Sequence, residues 1–383
     1  MAQHFLLSAK ARDFDREEID SLNELGAIQY LAKYRWPDGK QKCPACRSES
    51  RHKFRKHRLR WCCNKCSREF SVTSGTVFQD RKMPVKKLLQ AIFTYSRVAK
   101  GNPALALCGE VKISYVTAWL LCSKLREVLL KTSNPCQLSG LVHVDGGYFG
   151  GKPRSINNHG ITSPEGIAAA VKHKYGGAQT QGKRRYRNLK AGGAENERKR
   201  NEMRRLIYVF RQVDEHGGTG AMRTIVAVVH RATEVESDAS QLVQKYVALG
   251  STVMTDESSA YRRLNDLGYK HFAVTHKKQW RTVEGVNNNQ AESFFARMRR
   301  AEYGVFHRYT PTYLKDYANE FAWREDSRRK SYRERYEDLL FRIFLVGRSQ
   351  WFRGYHQENY YIKASRSPTY QPAKRRPELL DLS

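Results

Sequence analysis

Leu141-Val142-His143-Val144-Asp145 and Thr252-Val253-Met254-Thr255-Asp256 are two short runs built alike, with apolar or β-branched side chains first and an aspartate last. Side chains of that kind suit a pleated, half-buried backbone, so each run predicts a strand, with its aspartate standing where the strand should end. Reading outward, Ile207 to Phe210 and Thr224 to Val229 are two further β-rich runs. Ala239 to Leu249 is helix-like and stops at Gly250, Phe272-Ala273-Val274 is a candidate fifth strand, and Ala291 to Arg300 begins a helix. The predicted order is three strands, a helix, a strand, a short strand and a helix, which is an α/β mixed sheet flanked by helices. If the two aspartate strands pair in parallel, Asp145 and Asp256 lie side by side on one sheet edge. Gly151 to Leu206 is too long and polar for a turn. Its Lys183-Arg184-Arg185 and Arg198-Lys199-Arg200 clusters mark a basic insertion, 151–206.

That element order resembles the RNase H-like fold, and it occupies residues 136–330 as a candidate catalytic domain. Upstream, Leu22, Leu25, Ile28, Leu31 and Ala32 have helical spacing until Trp36-Pro37-Asp38-Gly39 breaks it, so 1–41 reads as a helical lead-in. From Pro84, three apolar helical stretches follow: Val85 to Phe93, Leu105 with Leu107, and Val116 to Leu129. With Gly109 taken as the turn before the last, 81–135 predicts a helix-turn-helix-like DNA-binding segment. Residues 331–383 read as a basic C-terminal tail.

Between lead-in and helices, 42–80 holds Cys43-Pro44-Ala45-Cys46 and Cys63-Asn64-Lys65-Cys66, two knuckles 16 residues apart. That spacing closes a tetrahedron of thiolates around one structural Zn²⁺, and the metal supplies folding energy that so small and polar a segment lacks. Four thiolates leave no position for a reacting water. Cys62 does not restore the two-residue spacing and is set aside; Cys108, Cys122 and Cys136 read as packed small hydrophobes. Around the knuckles, Arg55, Lys56, Arg58 and Arg60 are interleaved with Phe54 and Trp61, which favours contact with a nucleic-acid backbone.

The chain has 383 residues, with 69 Lys+Arg against 38 Asp+Glu, a formal charge of +31. Such an excess favours a polyanionic partner through counterion release, and DNA is the default. No stretch approaches the roughly 20 apolar residues of a membrane span. The opening MAQHFLLSAKARDFDREE lacks a secretion-signal pattern. The expected location is cytoplasmic and nucleoid-associated, or nuclear in a eukaryotic host.

Asn287-Asn288-Asn289-Gln290-Ala291-Glu292 opens the last predicted helix, and Glu292 and Arg299, seven residues apart, share one of its faces with Asn289. Phosphoryl transfer needs two divalent cations held by converging carboxylates, and hard cations such as Mg²⁺ take oxygen ligands. Two aspartates on strands, an acid on a helix 35 residues after the second and a basic residue seven further on resemble the signature of DDE transposases and retroviral integrases. CPAC, CNKCSREFSVTSGTVF, VHVDGGYFGGK, NNQAESFFARMRR and GVFHRYTPTYLKDYANEFAWREDSRR resemble the zinc-ribbon insertion-sequence transposases of the ISXO type, over roughly residues 20–330.

The resemblance implies metal-dependent cleavage and strand transfer at transposon ends, with Asp145, Asp256 and Glu292 holding two Mg²⁺ or Mn²⁺. It implies that Arg299 contacts phosphate and that His276 lies near the site. Asn289 is an alternative third ligand, since many relatives carry Asn there, and Asp326 stands where relatives usually show Asn. Lys183, Arg184, Arg185, Arg299 and Arg300 join the ribbon cations as DNA contacts. Terminal inverted repeats and target DNA are the expected partners, and a homodimer or higher oligomer the expected assembly. The alternative reading is a catalytically inactive, transposase-derived DNA-binding regulator.

Overall fold

A computed structural model describes residues 5, 8–133, 136–150, 204–214, 220–230, 233–274, 288–352 and 379–382. His276, Lys183, Arg184, Arg185 and nearly all of the 151–206 insertion lie outside the described residues.

Two short helices, α1 (Glu17–Asp20) and α2 (Glu24–Arg35), precede the cysteines, and the Asn23 side chain caps α2 by accepting from Gly26 N–H at 2.7 Å. The ribbon consists of a hairpin, β1 (Gln41–Lys42) with β2 (Glu49–Ser50), and a three-stranded antiparallel sheet of β3 (Lys53–Arg55), β4 (Arg60–Cys62) and β5 (Glu69–Phe70). Helices α3 (Val85–Arg97), α4 (Ala104–Val111) and α5 (Tyr115–Lys131) follow. Contrary to the sequence reading, Gly109 lies inside α4. The turn is made at Lys112, which adopts φ 55°, before Ser114 caps α5. The two helices bend by 116°, within the range of a helix-turn-helix. No single helix among the described residues is long and apolar enough to cross a membrane.

The large sheet contains β6 (Leu141–Gly150), β7 (Arg204–Val213), β8 (Ala221–Val229), β9 (Thr252–Asp256) and β10 (Lys270–Val274), in the order β10-β9-β6-β7-β8. β6, β7 and β8 form an antiparallel meander; β9 runs parallel to β6, and β10 parallel to β9. This is the mixed five-stranded sheet of an RNase H-like core, in the expected order. Val142, Val144, Leu206, Tyr208 and Val253 pack with Leu242 and Val243 of α6 (Glu236–Tyr246) on one face. Phe149, Ile207, Val209 and Val228 meet α7 (Asn289–Ala301) and α8 (Pro311–Asp326) on the other. The period-2 alternation thus assigns odd positions of β6, Asp145 among them, to the α7 face.

Two expectations are corrected. Asp145 does not end its strand: β6 runs on to Gly150, paired with β7 throughout. Nor is everything after 331 a tail, because α9 (Tyr332–Leu345) has a capping box at Ser331/Glu334 and buries Tyr336, Leu339, Leu340 and Ile343 against α2, α3 and α5. Of the three remaining cysteines only Cys122 is fully buried, where burial pushes its thiol up to about 11; Cys136 is exposed.

A buried ion triad ties the helical front to the sheet domain. Arg126 of α5 donates from Nε to Glu320 Oε2 of α8 at 2.6 Å, and Arg324 donates to Glu320 Oε1 at 2.7 Å and to the Tyr95 carbonyl at 3.0 Å. All three side chains are almost wholly excluded from solvent. Glu320→Ala leaves two buried guanidinium groups without their acid, so it is expected to cost about 3–5 kcal/mol in urea unfolding. A loss below about 1 kcal/mol would show that packing alone joins α5 to α8.

Candidate active site

The β6–β9 ladder pairs Leu141 with Thr252, Val142 with Val253 and His143 with Met254, then stops. Two residues later each strand carries its aspartate, so Asp145 and Asp256 occupy matching positions just beyond the paired part of the two strands. This is where strand order reverses in the sheet, the usual place for a binding crevice. Asp256 turns the chain as well, its Oδ1 accepting from Ser258 N–H at 3.2 Å.

Glu292 approaches from the first turn of α7, an end that favours negative charge. Two groups missed in the sequence fix that turn. Asn288, fully buried, donates from Nδ2 to the Val144 carbonyl at 3.2 Å, just before Asp145. Arg211, also fully buried, donates from Nη1 to the Gln290 carbonyl at 2.6 Å and to Ser293 Oγ at 3.0 Å, and from Nη2 to Glu325 Oε2 at 3.0 Å. The clue was an arginine directly after the apolar run 207–210, where a charge must be paired inside. Burial, and after it the Arg211 guanidinium, lowers His143 to about 4, so this histidine is neutral.

Burial comes first among the causes that hold the Asp145 carboxyl well above the usual carboxylate range. The Asp256 and Glu234 carboxylates add to it and Glu292 more weakly, while the Gly146 N–H, 2.8 Å from Oδ1, pulls the other way. Asp145 therefore has three acidic neighbours that act on it, Asp256, Glu234 and, more weakly, Glu292, of which the sequence reading did not name Glu234. Four acids converging in a chain of charge +31 form an oxygen donor set that fits hard divalent cations. Their oxygens stand further apart than the ribbon thiols, the only described group of three or more Cys, His, Asp or Glu within 4.8 Å of one another.

The paired glycines after Asp145 are required by close approach from both faces. A Cβ at Gly146 would stand 1.9 Å from Glu234 Oε1, and one at Gly147 would stand 2.7 Å from the Phe295 ring of α7. Arg299 is exposed, its guanidinium 5.6–5.7 Å from the rings of Phe149 and Phe295. Arg300 is exposed as well, and Asn289 opens α7 three residues before Glu292.

In the ribbon, Cys43 Sγ lies 3.7 Å from Cys66 Sγ and Cys46 Sγ 3.6 Å from Cys63 Sγ. Tetrahedral Zn–S bonds of about 2.3 Å require S···S edges of about 3.8 Å, so these thiols fit one structural zinc. Both knuckles repeat one geometry: Arg47 N–H to the Cys43 carbonyl and Ser67 N–H to the Cys63 carbonyl, each 2.9 Å, with Arg47 and Ser67 both at φ 59°. Cys62 points elsewhere, towards Arg55 and the Ser67 carbonyl. Of the ribbon cations, Arg55 and Arg58 pair with Glu69 at 2.9 and 3.3 Å, whereas Lys56 and Arg60 are exposed.

A thiolate tetrahedron on a small antiparallel ribbon, followed by an RNase H-like sheet with acids at its switch point, defines a class: zinc-ribbon proteins with a nuclease-type core. Residues 22–69 match the transposase zinc-ribbon domain, and residues 173–326, which include Asp256 and Glu292 but begin after Asp145, match the ISXO2-like transposase domain. The chain belongs to this transposase family. It is 33% identical over 100 residues to an uncharacterized protein in transposable element ISH50 of Halobacterium salinarum, a stretch covering 26% of this chain and 33% of that protein. No solved structure matches the chain.

At the end of α8, burial raises Asp326 to about 7, although Thr224 N–H donates to its Oδ2 at 3.1 Å. Its folded pKa exceeds the unfolded value near 3.8, so stability should fall as pH rises from about 4 to 7, the full penalty of roughly 4 kcal/mol holding above 7. Asp326→Asn should remove that slope and stabilise the protein at pH 8. Urea midpoints at pH 5 and 8 check it, and equal parent midpoints after allowance for the global charge would contradict it.

Proposed function

We propose that this protein is an active DNA transposase that cleaves phosphodiester bonds at the ends of an insertion sequence and joins the freed ends to target DNA. What supports the reading is that Asp145 and Asp256 occupy matching positions beyond the paired part of two parallel strands, with the carboxylates of Asp256 and Glu292 acting on Asp145. When bound, two Mg²⁺ or Mn²⁺ ions supply charge neutralisation and activation of the attacking oxygen. Asp145 and Asp256 would hold them, with Glu292 completing the set and Asn289 as the alternative to it. In the first step water attacks phosphorus and the P–O3′ bond breaks, leaving a 3′-hydroxyl on the element. In the second, that hydroxyl forms a new P–O bond to the target strand and displaces a target 3′-oxygen. Arg299 meets the phosphate, its guanidinium held over two aromatic rings.

Residues 42–80 and 81–135 grip the terminal repeats, with Lys56, Arg60 and the exposed start of α5 towards DNA, and a dimer or larger assembly brings two ends together. The test uses the zinc-loaded chain, a labelled duplex carrying an element end and a supercoiled target. Nicking and joined product that require Mg²⁺ or Mn²⁺ are expected. DNA binding without metal-dependent cleavage would leave a DNA-binding regulator instead.

A further inference from the structure

Glu234 lies in the loop between β8 and α6, where no spacing or motif marks it. Its carboxyl fills the space beside the Gly146 Cα that a single methyl group would take. Ser258, two residues past Asp256, hydrogen-bonds that carboxyl, so one loop holds both acids. Tyr261, in the helical turn Ser259–Leu264 that follows Ser258, has 0% exposure and a hydroxyl with no hydrogen-bond partner among the described residues. The carboxylates acting on this phenol are Glu234, Asp145 and Asp256. A buried hydroxyl left unpaired costs about 1–3 kcal/mol, and the water ligands of a cation seated among these acids would satisfy it. Charge points the same way, because two divalent cations are balanced by four carboxylates and under-balanced by three.

We propose that Glu234 is a fourth carboxylate of the site and holds a divalent cation together with Asp145 and Asp256. The assignment rests on the two-metal reading above, and its test separates the two. Mn²⁺ is titrated calorimetrically into the zinc-loaded full chain without DNA, for the parent, E234Q, G146A, the E234Q/G146A double variant, D256N and E236Q. E234Q is expected to weaken Mn²⁺ binding about tenfold or more. G146A, whose Cβ displaces the Glu234 carboxyl, should do much the same, and the double variant should lose no more than E234Q alone. Glu236, two residues on and paired with Arg263 on the surface, should be silent when changed. If E234Q binds Mn²⁺ within twofold of the parent while D256N does not, Glu234 is no ligand and the three-acid site stands. If parent, E234Q and D256N all bind alike, both readings fall. Should E234Q fail to fold, E234D, which keeps the charge and draws the carboxyl back by one methylene, carries the same test.

Discussion

Asp145→Asn is expected to reduce metal-dependent strand cleavage by at least about 10³-fold, or ~4 kcal/mol of transition-state stabilisation, while the metal-free protein becomes more stable. Both effects have one source. Asp145 is a half-buried carboxyl raised first by burial and then by the Asp256, Glu234 and Glu292 carboxylates. Without cations the folded chain bears that repulsion, and stability should drop as pH climbs above the ordinary carboxylate range. An amide of the same shape removes the repulsion and with it the ligand charge. Sites that store such conflict are where activity and stability trade against each other. Thermal melts at pH 7.5 with and without Mn²⁺, beside the cleavage assay, read both halves. An Asp145→Asn protein that cleaved within tenfold of the parent would remove this carboxylate from the chemistry, and a lower metal-free melting point would show that the acids are not strained.

Loss of the zinc site should have the second large effect. Cys63→Ser, or a strong chelator, is expected to unfold the ribbon and loosen the helices around it, because structural zinc contributes about 10–16 kcal/mol in small ribbons and fingers. The consequence should reach beyond 42–80. Trp36 meets Trp61 and Phe70 edge to face beside the knuckles, and this cluster is continuous with the core built by α3, α5 and α9. Tryptophan fluorescence and near-UV dichroism should therefore change together on chelation, with recovery on adding Zn²⁺. Cys62→Ser should leave both signals as they are, since its thiol meets Arg55 and the Ser67 carbonyl and not the tetrahedron. Signals unmoved by chelation would mean that the aromatic cluster alone holds the ribbon.

What this sequence determined by itself is what short-range chemistry can encode. Two CxxC pairs at one spacing allow one tetrahedron; β-branched runs ending in aspartate become strands; and Glu292 with Arg299, seven residues apart, must share a helix face. These features depend only on neighbours along the chain, and the order of elements that resembles an RNase H-like fold followed from them. The tertiary structure alone decided which distant groups serve the acids. Glu234 carries no local mark, and its place follows from the missing side chain at Gly146. Arg211 follows the apolar run of its strand for a reason visible only when Gln290, Ser293 and Glu325 arrive around it. Residues 332–345 read as part of a basic tail because their buried face is completed by α3 and α5, more than 200 positions earlier. Periodicity reports which side of an element is apolar but not what covers it, and burial of charge depends on partners that only folding brings near.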